Sequence, residues 1–261
     1  MAPDQNCPVL SSSQQLNITE ALVYETKETY TTFYITTEDD VLYFGKSPKG
    51  KDNITLAEYQ RLLHRVPDAE VFPEPPPNVE ITVAPDDINK AVAYMKMPCI
   101  KCYEDWAGSS TGAEVQLAET MAMERISSSP HPNIVKYLGC RVRRGRITAF
   151  FIEKLEQNLE QFAATPAYQQ IDKVVFMEAI ESAVNHLHGM GLAHNDISSY
   201  NIMVKGGMPI LIDFGSCRAF GERLDEGGTV GWAKDERSFR SEKEHDMYSL
   251  VKLREFLKLQ C

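Results

Sequence analysis

Toward its C-terminal end the chain reads HNDISSYNIMV, and LIDFG follows shortly after. His194, Asp196 and Asn201 stand at intervals of two and five, and Asp213 opens an Asp-Phe-Gly triplet 17 residues beyond Asp196. A positioned carboxylate can take a proton from a hydroxyl, and amide or carboxylate oxygens are hard ligands suited to Mg²⁺. Phosphoryl transfer from ATP needs both services: an acceptor hydroxyl held in line and relieved of its proton, and phosphates fixed by metal. On that chemistry Asp196 is the candidate hydroxyl acceptor, Asn201 a candidate metal ligand and Asp213 the principal one. Either piece by itself is weak, because HxD and DFG both arise often by chance. Their order and spacing, after a long helical pattern and around two strand-like runs, make them one constellation.

The elements that must position these residues can be read from periodicity. IDKVVFMEAIESAVNHLHGM repeats apolar residues at helical spacing (Val174, Ala179, Ile180, Ala183, Val184, Leu187) and predicts a long helix ending before Gly191. NIMVK and MPILIDF predict two short strands separated by Gly206-Gly207, and Ser241-x-x-Glu244 predicts a capping box opening a last helix. Upstream, VEITVA and AVAYMKM read as strands with CIKCY as a third possibility, and a helix is expected from Ala113 to Ile126. IVKYLGCRV and RITAFFIE read as hairpin arms around Arg144-Gly145. TYTTFYITT and VLYFG predict an earlier hairpin, followed by a helix in TLAEYQRLLHRV with Leu56, Tyr59, Leu62, Leu63 and Val66 on one face. Residues 1–20 are polar and read as a loose start, and FPEPPPN separates an extension (21–75) from the main domain. Strands first and helices later give an α+β class with two lobes.

The pair His194-x-Asp196-x4-Asn201 and Asp213-Phe214-Gly215 resembles the catalytic and metal loops of the protein kinase superfamily. Further stretches fit the resemblance, which covers about residues 80 to 258. HPNIV at His131–Val135 resembles the turn that kinases place between helix C and strand 4, and Glu119 then stands as the helix-C glutamate. FFIEKLEQNLEQF resembles strand 5 and the hinge, which implies Ile152 as gatekeeper and the backbone of Glu153 and Leu155 at the adenine edge. Gly228-Thr229-x-Gly231-Trp232-x-x-x-Glu236 resembles the end of an activation segment, and Asp246 falls where kinases anchor the catalytic loop. Two lysines compete to pair with Glu119. Lys96 ends the apolar run AVAYMK; Lys101 lies 18 before Glu119, with small Cys99 two residues ahead of it. AYMKMP, Tyr103, PHPNIVKYLGC, GRIT and the N-terminal extension also resemble a compact fungal group of kinase-like proteins, which favours Lys96.

The resemblance implies a kinase-like fold with a small β-rich N-lobe (80–153) and a truncated helical C-lobe (156–258), using ATP and Mg²⁺. It implies a miniature phosphotransferase acting on a protein serine or threonine, with a small-molecule acceptor as the variant. The rival expectation is a pseudokinase, a binding or scaffold module. Its support is that ITVAPDDINK, ahead of the lysine, has no glycine and carries Asp86 and Asp87, where kinases cradle phosphates with backbone N–H groups. Asn195 replaces the usual arginine, so no cation waits for a phosphorylated activation segment. Ser198 replaces the usual lysine. Lys234-Asp235-Glu236 departs from Ala-Pro-Glu. In the last helix Met247, Leu250, Val251, Leu253 and Leu257 form the expected apolar side.

Composition bounds the partners. A net charge of −10 over 261 residues argues against nucleic acid or an anionic membrane, both of which need a positive field. The local exception, Arg141, Arg143, Arg144 and Arg146, reads as a solvated hairpin. No run of about 18 apolar residues occurs, and the start has no signal-peptide pattern. Six scattered cysteines fit a reduced, intracellular and cytoplasmic setting, and the lone Cys99-x-x-Cys102 reads as structural. Gly45-KSPK-Gly50-Lys51 nearly matches a P-loop, but Asp52 stands where the metal-binding hydroxyl belongs, so a surface turn is expected.

Overall fold

The computed structural model describes residues 7–22, 29–224, 228–234 and 239–259. The chain folds as two compact units. One takes residues up to Glu80 together with Met97–Leu117 and Arg141–Ala149; the other takes Ile81–Lys96, Ala118–Cys140 and the chain from Phe150 onward.

The first unit is built on a four-stranded antiparallel sheet in the order β1 (Asn17–Leu22), β2 (Thr29–Thr36), β3 (Leu42–Ser47), β4 (His64–Arg65). The β2–β3 hairpin is the expected one. β1 corrects the reading of a loose start: it is an edge strand with no buried residue, so its sequence carries no apolar alternation. Helix α1 (Leu56–Leu62) opens on a capping box in which Thr55 and Glu58 satisfy each other's backbone amides. It is shorter than expected. Leu63 and Val66 are buried from extended chain, because His64 and Arg65 pair with Phe44 and Tyr43 of β3, and Leu56 is exposed. The one-turn helix α2 (Asp68–Val71) follows. One face of the sheet packs Phe33 and Tyr43 on Tyr59 and Leu63; the other packs Leu42 and Phe44 on Phe72, Ile100 and Tyr103. CIKCY is therefore an anchored loop and not a strand. Gly45 lies within β3 against the Phe33 ring, where any side chain would collide, so the P-loop look-alike begins inside a sheet, and only Pro48 and Lys49 form the exposed bend that was expected.

Asp40, at φ 62° in the β2–β3 turn, is almost wholly buried and takes hydrogen bonds from Arg141 and, at 2.7 Å, from Thr148 Oγ1. Arg144 donates to Asp68 at 2.6 Å, Arg143 to the Glu38 carbonyl at 2.9 Å, and Arg146 to Glu74 and the Phe72 carbonyl, both at 2.8 Å. The arginine cluster is a set of fasteners to the extension, which corrects its reading as a solvated hairpin.

β5 (Ala93–Lys96), in the second unit, pairs antiparallel with the end of β7 (Arg146–Glu153) that belongs to that unit, and β6 (Tyr137–Arg143), which enters it only up to Cys140, completes the sheet in the order β5-β7-β6. Arg144 and Gly145, both at positive φ, make the tight hairpin turn between β6 and β7. VEITVA does not form a regular strand. Only Val83 bridges Cys140, while Thr82 donates its amide and hydroxyl to Glu124 at 2.7 and 2.9 Å. This segment lies so close to Gly139 (φ 107°) that a side chain there would meet Ala84 N at 2.7 Å. Helix α3 (Thr111–Ser127) brings Glu119 into this unit. The short α4 (Leu159–Ala163) precedes α5 (Lys173–Gly189), capped by Asp172. The buried face of α5 is Phe176, Met177, Ile180, Ala183, Val184 and Leu187; Val174, expected there, is exposed. Then come β8 (Leu192–Ala193), the hairpin β9 (Ile202–Lys205) and β10 (Met208–Leu211), β11 (Arg218–Ala219), which pairs with β8, and α6 (Lys243–Leu257). α6 is not opened by the expected box: its N-cap is Glu242, and Ser241 is drawn into the site described below. Its buried face is His245, Asp246, Ser249, Leu250, Leu253 and Leu257, with Met247 and Val251 exposed. Among the described residues no helix is long and apolar enough to cross a membrane.

Candidate active site

Positioning begins with β9 and β10. Gly206 and Gly207, both at positive φ, turn the hairpin, and the register pairs Ile202 with Leu211. Asn201 and Ile212 therefore meet at its open end, where Ile212 N–H donates to the Asn201 carbonyl at 2.9 Å. The interval of 17 residues in the sequence is thus a loop plus a hairpin that returns the chain to its start. Asn201 Nδ2 donates to the Asp196 carbonyl at 2.8 Å and to Asp196 Oδ2 at 2.9 Å. With its N–H groups so used, the Asn201 side chain has an oxygen left to offer.

The loop holding Asp196 is fixed from beneath. Asp246 on α6, fully buried, accepts the backbone N–H groups of His194 (2.9 Å) and Asn195 (2.8 Å) and the His188 Nε2 contact at 2.9 Å. His194 accepts Asp196 N–H at Nδ1 (3.3 Å) and donates from Nε2 to the Ile212 carbonyl at 3.0 Å, the Nε2–H tautomer. Its ring packs on buried Phe214 at 5.0 Å between centroids. Asn195 adopts φ 65°, a conformation that asparagine tolerates better than most residues. Its Nδ2 donates to the carbonyls of Ala193 (2.9 Å) and Ser216 (3.0 Å) and to Ser241 Oγ (3.0 Å), and its Oδ1 meets His245 Nδ1 at 3.0 Å.

Lys96 at the end of β5 reaches Glu119 Oε1 at 2.5 Å and Asp213 Oδ1 at 2.9 Å. Burial works to lower the Lys96 pKa, but the two carboxylates outweigh it and hold the ammonium above its ordinary range. Burial likewise works against the Asp213 carboxylate, and Lys96 outweighs it, so Asp213 lies below its ordinary value. Burial pushes the Glu119 carboxyl up, against the pull of Lys96 and of the Phe214 N–H. Of the two candidate lysines, Lys96 stands beside Glu119; Lys101 belongs to the first unit, where its carbonyl accepts from Thr32 Oγ1 at 3.4 Å.

Lys96, Glu119, Asp196, Asn201 and Asp213 all belong to the second unit, and bonds tie Lys96 to Glu119 and Asp213, and Asn201 to Asp196. Ile152 and Leu155 are half-buried at the end of β7 and just after it. Glu153 N–H donates to the Lys136 carbonyl at 2.9 Å, which leaves no amide hydrogen there for a ligand. A carboxylate oxygen from Asp213 and an amide oxygen from Asn201 are hard donors that suit Mg²⁺. That ion takes one or two protein oxygens and completes its shell with phosphate and water.

Sequence reasoning set Thr229 at the end of an activation segment but did not foresee its bonds to Asp196. Its N–H and its hydroxyl both donate to Asp196 Oδ1, each at 2.7 Å. Ser198 is fully buried, and among the described residues its hydroxyl has no hydrogen-bond partner. Glu236 lies outside the described residues.

The family model for the protein kinase domain matches residues 88–253, more than half of the chain. The chain belongs to the protein kinase family. This kinase chain is 26% identical to the human serine/threonine-protein kinase/endoribonuclease IRE2 over 138 residues, 47% of its own length and 14% of that protein's. It is 29% identical to the human MAPK/MAK/MRK overlapping kinase over 106 residues, 40% of this chain and 25% of the relative. Over 104 residues it is 31% identical to the dual specificity testis-specific protein kinase 2 of Mus musculus, covering 38% of this chain and 18% of the relative. The kinase chain thus spans a quarter or less of the length of these relatives. Its fold is α+β, with a β-rich N-terminal region and a helical part, as expected.

Proposed function

We propose that the protein is an ATP- and Mg²⁺-dependent phosphotransferase, a protein serine/threonine kinase. The observation that carries this is the hydrogen-bonded return of the β9–β10 hairpin, which sets Asn201 and Asp213 beside the loop of Asp196. In this reading Asp196 orients the acceptor hydroxyl and takes its proton. Asn201 and Asp213 hold Mg²⁺, which neutralises charge on the phosphates. Lys96, kept charged and aimed by Glu119, binds the nucleotide phosphates. Ile152, Glu153 and Leu155 border the adenine, with Glu153 contributing through its carbonyl.

A second reading, a nucleotide-binding module without turnover, is favoured by one observation. The segment ahead of Lys96 makes a single bridge at Val83 and offers no glycine-bearing turn to cradle phosphates. Incubation with γ-labelled ATP, Mg²⁺ and separate peptide and metabolite pools tests the assignment. Label in the peptide pool, absent with Asp196→Asn, supports the kinase; label in the metabolite pool moves the acceptor to a small molecule. Nucleotide binding with equal background transfer by both proteins would overturn the catalytic reading.

A further inference from the structure

We infer that the cavity lined by Arg65, Arg143 and Arg144 is a docking site for a phosphorylated serine or threonine carried on an extended peptide. The cavity holds about 670 Å³, and three guanidinium groups line it against a single carboxylate, that of Asp39. Such a concentration of positive charge runs against the rest of the chain, whose net charge is −10. All four residues belong to the first unit, so the site stands apart from the phosphotransferase reading.

The three cations are anchored through only part of their hydrogen-bonding capacity. Arg144 donates to Asp68 Oδ2 at 2.6 Å and to the carbonyls of Asp39 and Asp40. Asp68 Oδ1 lies 3.6 Å from Arg65 Nη2, so one carboxylate holds two guanidiniums side by side. Arg143 donates through Nη1 to the Glu38 carbonyl at 2.9 Å, while the carboxylates of Asp39 and Asp40 stay 3.6 and 3.7 Å away. A guanidinium carries five N–H donors in a fixed fork. The side chains of Arg65 and Arg143 are 46% and 39% exposed, so both keep donors for an anion while already held in place. A phosphate monoester, with about −1.5 to −2 charge and three acceptor oxygens, can engage more than one such fork; a carboxylate has two oxygens and one charge. Asp39 is a loose counter-ion, 90% exposed on its turn, and can give way to the phosphate. Asp40 is committed to Arg141 and Thr148.

The sheet offers the peptide backbone a partner at the same place. β4 is the last strand of its sheet, and among the described residues no strand pairs with its outer edge. Val66 N–H donates to the Leu42 carbonyl at 2.9 Å, which makes those two a hydrogen-bonded pair. By the alternation of an antiparallel ladder Tyr43 and Arg65 are then a non-bonded pair, and the main-chain N–H and C=O of Arg65 face the outer edge. An extended segment that adds a strand there meets those two groups, with the guanidinium of the same residue in the cavity lining.

The test passes randomised heptapeptide pools, with phosphothreonine, threonine or glutamate fixed at the centre, over the immobilised full chain. Preferential retention of the phosphothreonine pool is the expected result, reduced about tenfold or more by Arg65→Ala and by Arg143→Ala, as for the loss of a charge-assisted hydrogen bond. Arg143→Lys, which keeps the charge and removes the fork, should reduce it as well. Asp39→Asn should strengthen retention about two- to fivefold, the fold-change of a surface ion pair, and a misfolded variant could not give that gain. Equal retention of the glutamate pool overturns phosphate recognition. Elution by inorganic phosphate as effective as elution by free phosphopeptide overturns docking of a peptide and leaves an ion site. Retention that no arginine variant changes, or no retention of the phosphothreonine pool, overturns the inference outright.

Discussion

Asn195 donates its side-chain amide to Ser241 Oγ at 3.0 Å, joining the loop of Asp196 to the chain that leads into α6. Where the resemblance to kinases led one to expect an arginine awaiting a phosphate, the chain has a neutral amide whose partners are all internal. Phosphatase treatment before assay is therefore expected to leave the initial rate toward an added acceptor within about twofold, since no charge-assisted contact depends on phosphate. A collapse in rate would refute this. Asn195→Ala should instead lower both rate and melting temperature, because each buried acceptor left without a donor costs about 1–3 kcal/mol.

Asp40→Ala is expected to destabilise the first unit without touching a residue of the site. Removing one partner of a buried ion pair costs about 3–5 kcal/mol. The Asp40 side chain is 1% exposed and pairs with Arg141, whose guanidinium would be left uncompensated. Urea unfolding followed by far-ultraviolet dichroism measures it; a midpoint equal to that of the wild type would show that the fastening adds nothing.

The backbone logic of both units was partly legible. Arg144-Gly145 and Gly206-Gly207 announced their turns because glycine follows or fills positions of positive φ, and α5 announced itself through its period. What stayed hidden depends on distant partners. Asn17–Leu22 pairs with β2 without one buried residue to mark it, and Thr82–Ala84 look like a strand yet are held by Glu124 and Cys140. Ser241 looked like a cap until Asn195 and Arg218 claimed its hydroxyl. In the site, the residue types at Asp196, Asn201 and Asp213 carried a readable spacing. Thr229 did not, since no local pattern tells which hydroxyl a turn will bring to a carboxylate 33 residues away.

Thiol reactivity should sort by burial. Burial pushes the Cys217 thiol up to about 12 and the Cys140 thiol up to about 11, while Cys99 and Cys102 are exposed. Brief iodoacetamide treatment at pH 8 followed by peptide mapping is expected to label Cys99 and Cys102 and to spare Cys140 and Cys217 until urea is added, because the thiolate is the reacting form. Early labelling of Cys217 would contradict its burial.

The Lys96–Asp213 pair sets a pH dependence with a definite sign. Asp213 lies below its ordinary 3.8, so its contribution is present above that value and lost as pH falls through the depressed pKa. Lys96 lies above its ordinary 10.5, so its contribution is present below that value and lost as pH rises through the raised pKa. Comparison of wild type with Lys96→Met across pH 5–10 should accordingly show a stability difference that is present at neutral pH and narrows toward acid, as Glu119, which burial pushes up and Lys96 holds down, takes up a proton. A difference that vanishes near neutral pH would mean the pair is not charged there.

Thermal unfolding in the presence of ATP, with and without Mg²⁺, probes the junction of Asn201 and Asp213 directly. A ligand that binds only the folded chain stabilises it by about 2.7 kcal/mol at a hundred times its Kd. The wild type is expected to shift upward with ATP far more when Mg²⁺ is present, and Asp213→Ala to lose that dependence on the metal. A shift equal with and without Mg²⁺, or one that Asp213→Ala leaves intact, would contradict the account.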